Sequence, residues 1–86
     1  MTIMNILYFA RIREHIGKSS EEITLPDQVT TVADVIEYLE SLGNNYQNAF
    51  AEPDLLRAAV NDEYVPLDYK ISNADELALF PPMTGG

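Results

Sequence analysis

The sequence has no cysteine, no tryptophan and one histidine, and it sets five basic residues against fourteen acidic ones. Each shortage excludes something. Without cysteine there can be no disulfide, no thiolate metal site and no cysteine nucleophile. A formal charge of −9 repels phosphate backbones and anionic lipid and favours partners with basic surfaces, which argues against nucleic-acid and membrane partners. No apolar run approaches the roughly 20 residues of a membrane span. The opening Met1-Thr2-Ile3-Met4-Asn5 also lacks the basic stretch and apolar core of a signal peptide, so a cytoplasmic protein is expected.

Candidate chemistry among the side chains is equally sparse. His15 stands beside Glu14 with no nucleophile or orienting group nearby in the pattern, so it reads as solvated rather than as a catalytic base. The acidic pairs Glu21-Glu22, Asp62-Glu63 and Asp75-Glu76 fall in turns or at strand starts. They lack the spacing of a calcium loop and read as solvated charges, so no metal is expected. There is no glycine-rich phosphate loop. At 86 residues the chain is one small domain burying roughly 60–65% of its unfolded surface. It is not expected to be a stand-alone enzyme or to bind a cofactor of its own.

The pattern that is present is a regular alternation of elements. Residues 3–10 predict a strand with apolar side chains on both faces, Ile6, Tyr8 and Ala10 opposite Leu7 and Phe9, hence a central position. Residues 11–17 predict a short helix, with Ile12 and Ile16 sharing a face and Gly17 placed as a C-terminal cap. Residues 21–25 predict a second strand, antiparallel to the first and ended by Pro26. Thr31 and Asp34 have the spacing of an N-terminal capping box. Behind them Val32, Val35, Ile36, Leu39 and Leu42 form one apolar helical stripe closed by Gly43-Asn44.

Residues 45–52 read either as an irregular helical turn or as a loop pinned by Phe50. Residues 55–60 predict a third strand, which Asn61-Asp62-Glu63 turns into a short edge strand over 64–67 blunted by Pro66. Residues 77–80 predict the last strand. The order describes an α+β two-layer domain whose natural form is a β-grasp, a mixed sheet with one long helix on one face. That domain is expected over 1–80, with a tail over 81–86.

The tail carries the functional signal. Pro81-Pro82 stops the final strand, because proline has no N–H for a ladder and its ring holds φ in the extended range. From Phe80 to Gly86 an extended backbone spans at most about 20 Å, stiffened at its start by the two prolines. Gly85 and Gly86 have no Cβ and fit a channel too narrow for a side chain. From Leu77 onward the one ionisable group expected is the terminal carboxylate. As a carboxylate it resists attack, so it would need another enzyme to convert it with ATP into an acyl-adenylate. Sulfur transfer would then give a thiocarboxylate, and amine attack a conjugate. The plain alternative is that small polar residues at a chain end are merely frayed. A frayed end needs neither a double proline nor the apolar Met83.

Three stretches, Tyr8-Phe9-Ala10-Arg11-Ile12-Arg13-Glu14, Ala58-Ala59-Val60-Asn61 and the run from Asp75 to Gly86, resemble the small-subunit family of molybdopterin synthase. The final Phe80-Pro81-Pro82-Met83-Thr84-Gly85-Gly86 is the most specific of them. The resemblance implies a ubiquitin-like β-grasp sulfur carrier of molybdenum cofactor biosynthesis. It implies that an E1-like enzyme uses ATP to adenylate Gly86, that a sulfur donor converts it to a thiocarboxylate, and that the tail enters the large synthase subunit. There the sulfur passes to cyclic pyranopterin monophosphate, in an assembly of two small and two large subunits.

By the same resemblance Gly85 threads the channel, Met83 and Thr84 line the passage, and Phe80, Pro81 and Pro82 dock on partners. Arg13 is either an interface contact or a surface salt bridge near Glu14. The rival readings are a carrier for thiamine synthesis or tRNA thiolation, a lysine-attached protein modifier, and a binding module whose diglycine is incidental.

Overall fold

Alternation of buried and exposed residues builds the sheet, and its phase decides which face the helices cover. The structure, a computed structural model, describes residues 2–82. Its strands are β1 (Thr2–Tyr8), β2 (Ser20–Leu25), β3 (Arg57–Val60), β4 (Glu63–Val65) and β5 (Glu76–Phe80). They form one sheet in the order β2-β1-β5-β3-β4. The β1–β5 pair is parallel and the others are antiparallel. Three helices, α1 (Ala10–Ile16), α2 (Val32–Glu40) and α3 (Asn44–Ala49), and a 3₁₀ turn at Pro53–Leu55 complete the chain. This mixed sheet, with its principal helix α2 packed against the core, is a β-grasp.

One sheet face is the core. Met4, Ile6 and Tyr8 from β1, Ile23 and Leu25 from β2, Ala58 and Val60 from β3, and Leu77 and Leu79 from β5 are all buried. They pack in one cluster with Val32, Val35, Ile36 and Leu39 of α2, Ile12 and Ile16 of α1, and Tyr46 and Phe50. The interior place of β1 follows the expectation, although the strand ends at Tyr8. Ala10 instead takes φ 52° and opens α1, so the chain turns from strand to helix within two residues. Gly17 caps α1 with φ 90°, and its N–H donates to Arg13 O at 2.8 Å.

The capping box is present as read: the Asp34 N–H donates to Thr31 Oγ1 at 3.2 Å, and the Thr31 N–H to Asp34 Oδ2 at 3.2 Å. Hydrogen bonds from the Thr30 and Thr31 backbone hold the Asp34 carboxyl below its usual range. Thr31→Ala is therefore expected to lower stability by about 1 kcal/mol, read as a lower urea midpoint with an unchanged slope.

Other boundaries also differ from expectation, and the edge strand β4 runs over Glu63–Val65 rather than 64–67, ending before Pro66. Leu42 is exposed rather than part of the α2 stripe. The last turn closes with i to i+3 bonds, Ser41 N–H to Tyr38 O and Leu42 N–H to Leu39 O, so the chain leaves the helix before Leu42 could face the core. Gly43 does not close α2 but precedes α3, so residues 44–49 are helical and Phe50 is buried behind them. β3 begins at Arg57 rather than at residue 55. The N–H groups of Leu55 and Leu56 are committed to Glu52 O and Pro53 O in the 3₁₀ turn and are not free for a ladder. The β3–β4 hairpin turns on Asn61 and Asp62, at φ 51° and 72°, the left-handed pair that a two-residue hairpin loop requires.

Candidate functional site at the end of the central strand

β5 is the middle strand, so whatever follows it leaves from the middle of the sheet. Pairing continues to its last residue, where Phe80 lies opposite Arg57 of β3. On the other side the Phe9 N–H donates to Leu79 O at 3.2 Å, which places the start of α1 against the end of β5. Pro81 and Pro82 follow, half-buried and outside any strand. The predicted stop at the prolines is therefore where the strand ends. Met83, Thr84, Gly85 and Gly86 lie outside the described residues.

The sheet face away from the core is open and partly apolar around this exit. Phe80 and Tyr64 have ring centroids 5.5 Å apart, tilted by 40°. Ala59, paired with both Tyr64 and Ala78, is buried yet lies outside the core cluster. Tyr64 is 80% exposed and Phe9 44%. Exposed aromatics of this kind, grouped on one face, are typical of a surface that a partner covers.

Charge is arranged around the same point. The chain has three arginines, Arg11, Arg13 and Arg57. The first two sit exposed on α1, which starts beside the end of β5, and the third is the register partner of Phe80. Two of the three arginines thus stand on the helix that starts beside the end of β5 and the third on the strand paired with it, with Glu14 and Asp54 as the carboxylates of the same two segments. The Arg57 Nη1 donates to Asp54 O at 3.2 Å and Leu56 O at 2.9 Å, which fixes its side chain. Among the described residues the Arg13 side chain forms no ion pair or hydrogen bond, so the salt bridge considered for it is not made there. Arg57, Phe9 and Tyr64 were not marked by the sequence pattern. The pairing of β3 with β5 and β4 brings Arg57 and Tyr64 to the exit, and that of β1 with β5 brings Phe9; no local signal carries those registers.

A second polar site was misread from the sequence. Glu21 is not a freely solvated charge. The Tyr8 Oη donates to Glu21 Oε2 at 2.8 Å, the Tyr46 Oη to the same oxygen at 2.7 Å, and the Lys18 Nζ to Oε1 at 3.0 Å. Burial pushes the Glu21 carboxyl up, but the bonds from Tyr46, Tyr8 and Lys18 outweigh it and hold the group below its usual range. Burial and the neighbouring carboxylate push both tyrosine hydroxyls up. The available signal was phase: Glu21 shares a strand face with Ile23 and Leu25, the core face. The carboxylate ties β2 to β1 and α3, and Asn45 Nδ2 donates to Ile16 O at 3.0 Å, tying α3 to α1. The helix that borders the exit is thereby held from behind.

His15 is exposed on α1. Among the described residues no three acidic, histidine or cysteine side chains come together as a metal site would need, and no helix is long and apolar enough to cross a membrane.

Comparison with known proteins agrees with this geometry. The model of the ThiS family matches residues 6–86. The molybdopterin synthase sulfur carrier subunit of Haemophilus influenzae is 39% identical, with 98% of this chain and all of that protein covered. Among solved structures, a putative molybdopterin converting factor subunit 1 from Pyrococcus furiosus superposes with a TM-score of 0.77 at 29% identity, over 96% of this chain and all of the other. SAMP1 from Haloferax volcanii, a small archaeal modifier protein, superposes with a TM-score of 0.74 at 27% identity, over 98% and 99% of the two chains.

Proposed function

Since this chain belongs to the ThiS family, we propose that it is the sulfur carrier of a molybdopterin synthase and that Gly86 carries the sulfur. The observation that supports this reading best is the placement of the last strand. It runs through the centre of the sheet, ends at two prolines, and leaves beside the Tyr64–Phe80 ring pair and the two segments that carry the three arginines. A rigid domain of this kind can be gripped at the exit while the residues beyond it enter another protein.

The chemistry belongs to the tail and to its partners. In the activating enzyme an oxygen of the Gly86 carboxylate attacks the α-phosphorus of ATP, and pyrophosphate leaves. A sulfide-equivalent donor then attacks the acyl carbon, AMP leaves, and a thiocarboxylate remains. Its sulfur is a soft nucleophile held at neutral pH as an anion. It is delivered inside the large synthase subunit to cyclic pyranopterin monophosphate, to build the dithiolene of molybdopterin. Met83 and Thr84 line the passage and Gly85 threads it with Gly86, while Phe80, Pro81 and Pro82 dock at its mouth. The assembly is two small and two large subunits, in the cytoplasm, and this chain binds no cofactor of its own.

The arginines at the exit give the docking surface its sign. Exposed charges at the rim of an interface act chiefly on association rate and its salt dependence. Arg13→Glu is therefore expected to weaken association with the large subunit by about tenfold at low salt. The unfolding temperature should not change, because the Arg13 side chain holds nothing among the described residues. Surface plasmon resonance at two salt concentrations reads this; an unchanged association rate would remove Arg13 from the interface.

The reading as a whole is tested by the mass of the C-terminal peptide after incubation with the E1-like enzyme, ATP and a sulfur donor. Replacement of one oxygen by sulfur at Gly86 is the expected result. The likeness to SAMP1 favours a second reading, attachment of Gly86 to a lysine of another protein. An isopeptide adduct in place of sulfur would decide for it.

A further inference from the structure

The two edges of the sheet are unlike. β4 is three residues long and is closed by Pro66 on one side and the Asn61-Asp62 turn on the other. β2 is six residues long, Ser20-Glu21-Glu22-Ile23-Thr24-Leu25, with no proline or lysine in it. Its register against β1 is unbroken from Thr2↔Leu25 to Leu7↔Ser20, so it has no bulge. Proline, lysine, shortness and bulges are among the usual means of blunting an edge, and β2 has none of these; its edge charges are Glu21, turned to the core face, and the exposed Glu22.

The register also identifies the groups along that edge. The Tyr8 N–H donates to Ser19 O at 2.9 Å, so these residues are a hydrogen-bonded pair of the antiparallel ladder. Such pairs recur at every second residue, which makes Ile6 with Glu21, Met4 with Ile23, and Thr2 with Leu25 the next ones. Ser20, Glu22 and Thr24 therefore turn their N–H and C=O groups away from β1. All three are exposed, and in the sheet order β1 is the one strand beside β2.

Charge selects the occupant. The cation nearest in sequence, Lys18, is held by Glu21 at 3.0 Å, which leaves Glu22 as the outward charge of the strand. Pairing two copies edge to edge would bring two Glu22 side chains together between chains of charge −9 each, and like charges placed opposite destabilise a strand pair. On the helix side, past the end of β2, a groove of about 320 Å³ is apolar at Pro26, Val29 and Tyr38 and rimmed by the carboxylates of Asp34 and Glu37. A docked strand alternates its side chains between the two faces. Basic residues would then meet Glu22 on the open face and apolar ones the groove by Val29 and Tyr38.

We infer that the free edge of β2 accepts an extended segment of a partner protein, alternating basic and apolar residues, as a sixth strand of the sheet. Such strand addition draws affinity from main-chain hydrogen bonds and selectivity from alternate side chains. β1 separates β2 from β5, so a partner held at this edge leaves Phe80 and the two prolines free for another protein. A carrier that passes between proteins can in this way be retained by one while its tail is delivered to the next.

The test uses the full chain, labelled with nitrogen-15 and titrated with the capped peptide Arg-Val-Arg-Val-Arg-Val, beside a Glu-Val-Glu-Val-Glu-Val control. The amides of Ser20, Glu22 and Thr24 are expected to shift and to become protected from exchange. Those of Glu21 and Ile23, already bonded to β1, should hardly change. Glu22→Lys and Thr24→Pro are each expected to weaken binding roughly tenfold, the second by removing an outward N–H while sparing the ladder to β1. If Thr24→Pro does not fold, Glu22→Lys and the exchange pattern decide. Shifts centred on Tyr64 and Phe80, equal binding of the acidic peptide, or dimerisation of the free chain through β2 in sedimentation would each overturn the inference.

Discussion

A chain lacking Gly86 is expected to unfold at the temperature of the intact protein and to gain no sulfur. The physical reason is that support and chemistry are separated along the sequence. The core is complete at Leu79, which with Leu77 is fully buried, and β5 makes its last pairing at Phe80. A deletion six residues further on removes none of these contacts. It does remove the residue whose carbonyl carbon, in the proposed function, takes the adenylate and then the sulfur. A shortened tail ending at Gly85 would also place its carboxylate about 3.5 Å short of the reacting position, and a displacement of that size is far beyond the tolerance of a positioned reaction. Circular dichroism melting and peptide mass are read on the same sample. A truncated chain that still acquires sulfur, or one that loses its cooperative melt, contradicts the separation.

The second large effect lies in the interior. Glu21→Ala is expected to destabilise the fold by about 2–4 kcal/mol, because it leaves the hydroxyls of Tyr8 and Tyr46 without their acceptor and an unpaired buried hydroxyl costs about 1–3 kcal/mol. The lower part of the summed range applies because Glu21 is half-buried and water can replace it in part. At about 4–8 °C per kcal/mol for a domain of this size, the melting temperature should fall by roughly 10–25 °C. Tyr8→Phe, which removes one donor but strands no buried group, should cost less.

The same group sets a pH dependence of definite sign. The folded carboxyl titrates below its unfolded value of about 4.3, so its contribution is present above that pH and is lost as pH falls through the folded value. Glu21→Gln should therefore flatten the decline in stability below about pH 4.3, leaving the part that belongs to Asp34, whose carboxyl is also held low. The tyrosines act with the opposite sign. Their raised values keep the hydroxyls protonated in the fold, so their contribution is lost as pH rises beyond about 10. Urea unfolding at a series of pH values measures both limbs. An acid limb with the same slope in Glu21→Gln as in the unaltered protein would show that Glu21 is not held in this way.

The further consequence of the Glu21 site is mechanical. α1 carries Arg11 and Arg13 at the exit of β5, and its far end is fixed through Ile16 to Asn45 and so to α3, which Tyr46 fastens to Glu21. The two arginines, of which Arg13 is proposed to meet a partner, thus stand on a helix braced at both ends, by Phe9 against Leu79 and by this chain of bonds. Arginines held in place lose less freedom on meeting a partner than arginines on a loop.

Local signals in the sequence were enough for the elements whose cause lies within one or two turns. Ile12, Ile16 and Gly17 define α1, Thr31 and Asp34 define the start of α2, and Pro81-Pro82 define the end of β5, because periodicity, caps and missing N–H groups act on neighbours in the chain. Leu42 and Leu55 were misplaced for a related reason. The apolar pattern ran on past the point where i to i+3 bonds at Ser41, or the 3₁₀ turn at Pro53, had already taken the backbone out of register.

The residue types of the tail, two prolines, an apolar residue and two glycines, were legible too, and the proposed chemistry rests on them. What the sequence by itself determined was therefore the five strands, the helices α1 and α2, the β-grasp class and the end of the last strand. Only the tertiary structure decided that β5 is the central strand, that Arg57, Phe9 and Tyr64 meet it at its exit, and that Glu21 is a half-buried acceptor rather than a freely solvated charge. Those facts rest on pairing between residues 13 to 71 positions apart, where loop closure and side-chain packing, not local propensity, select the partner.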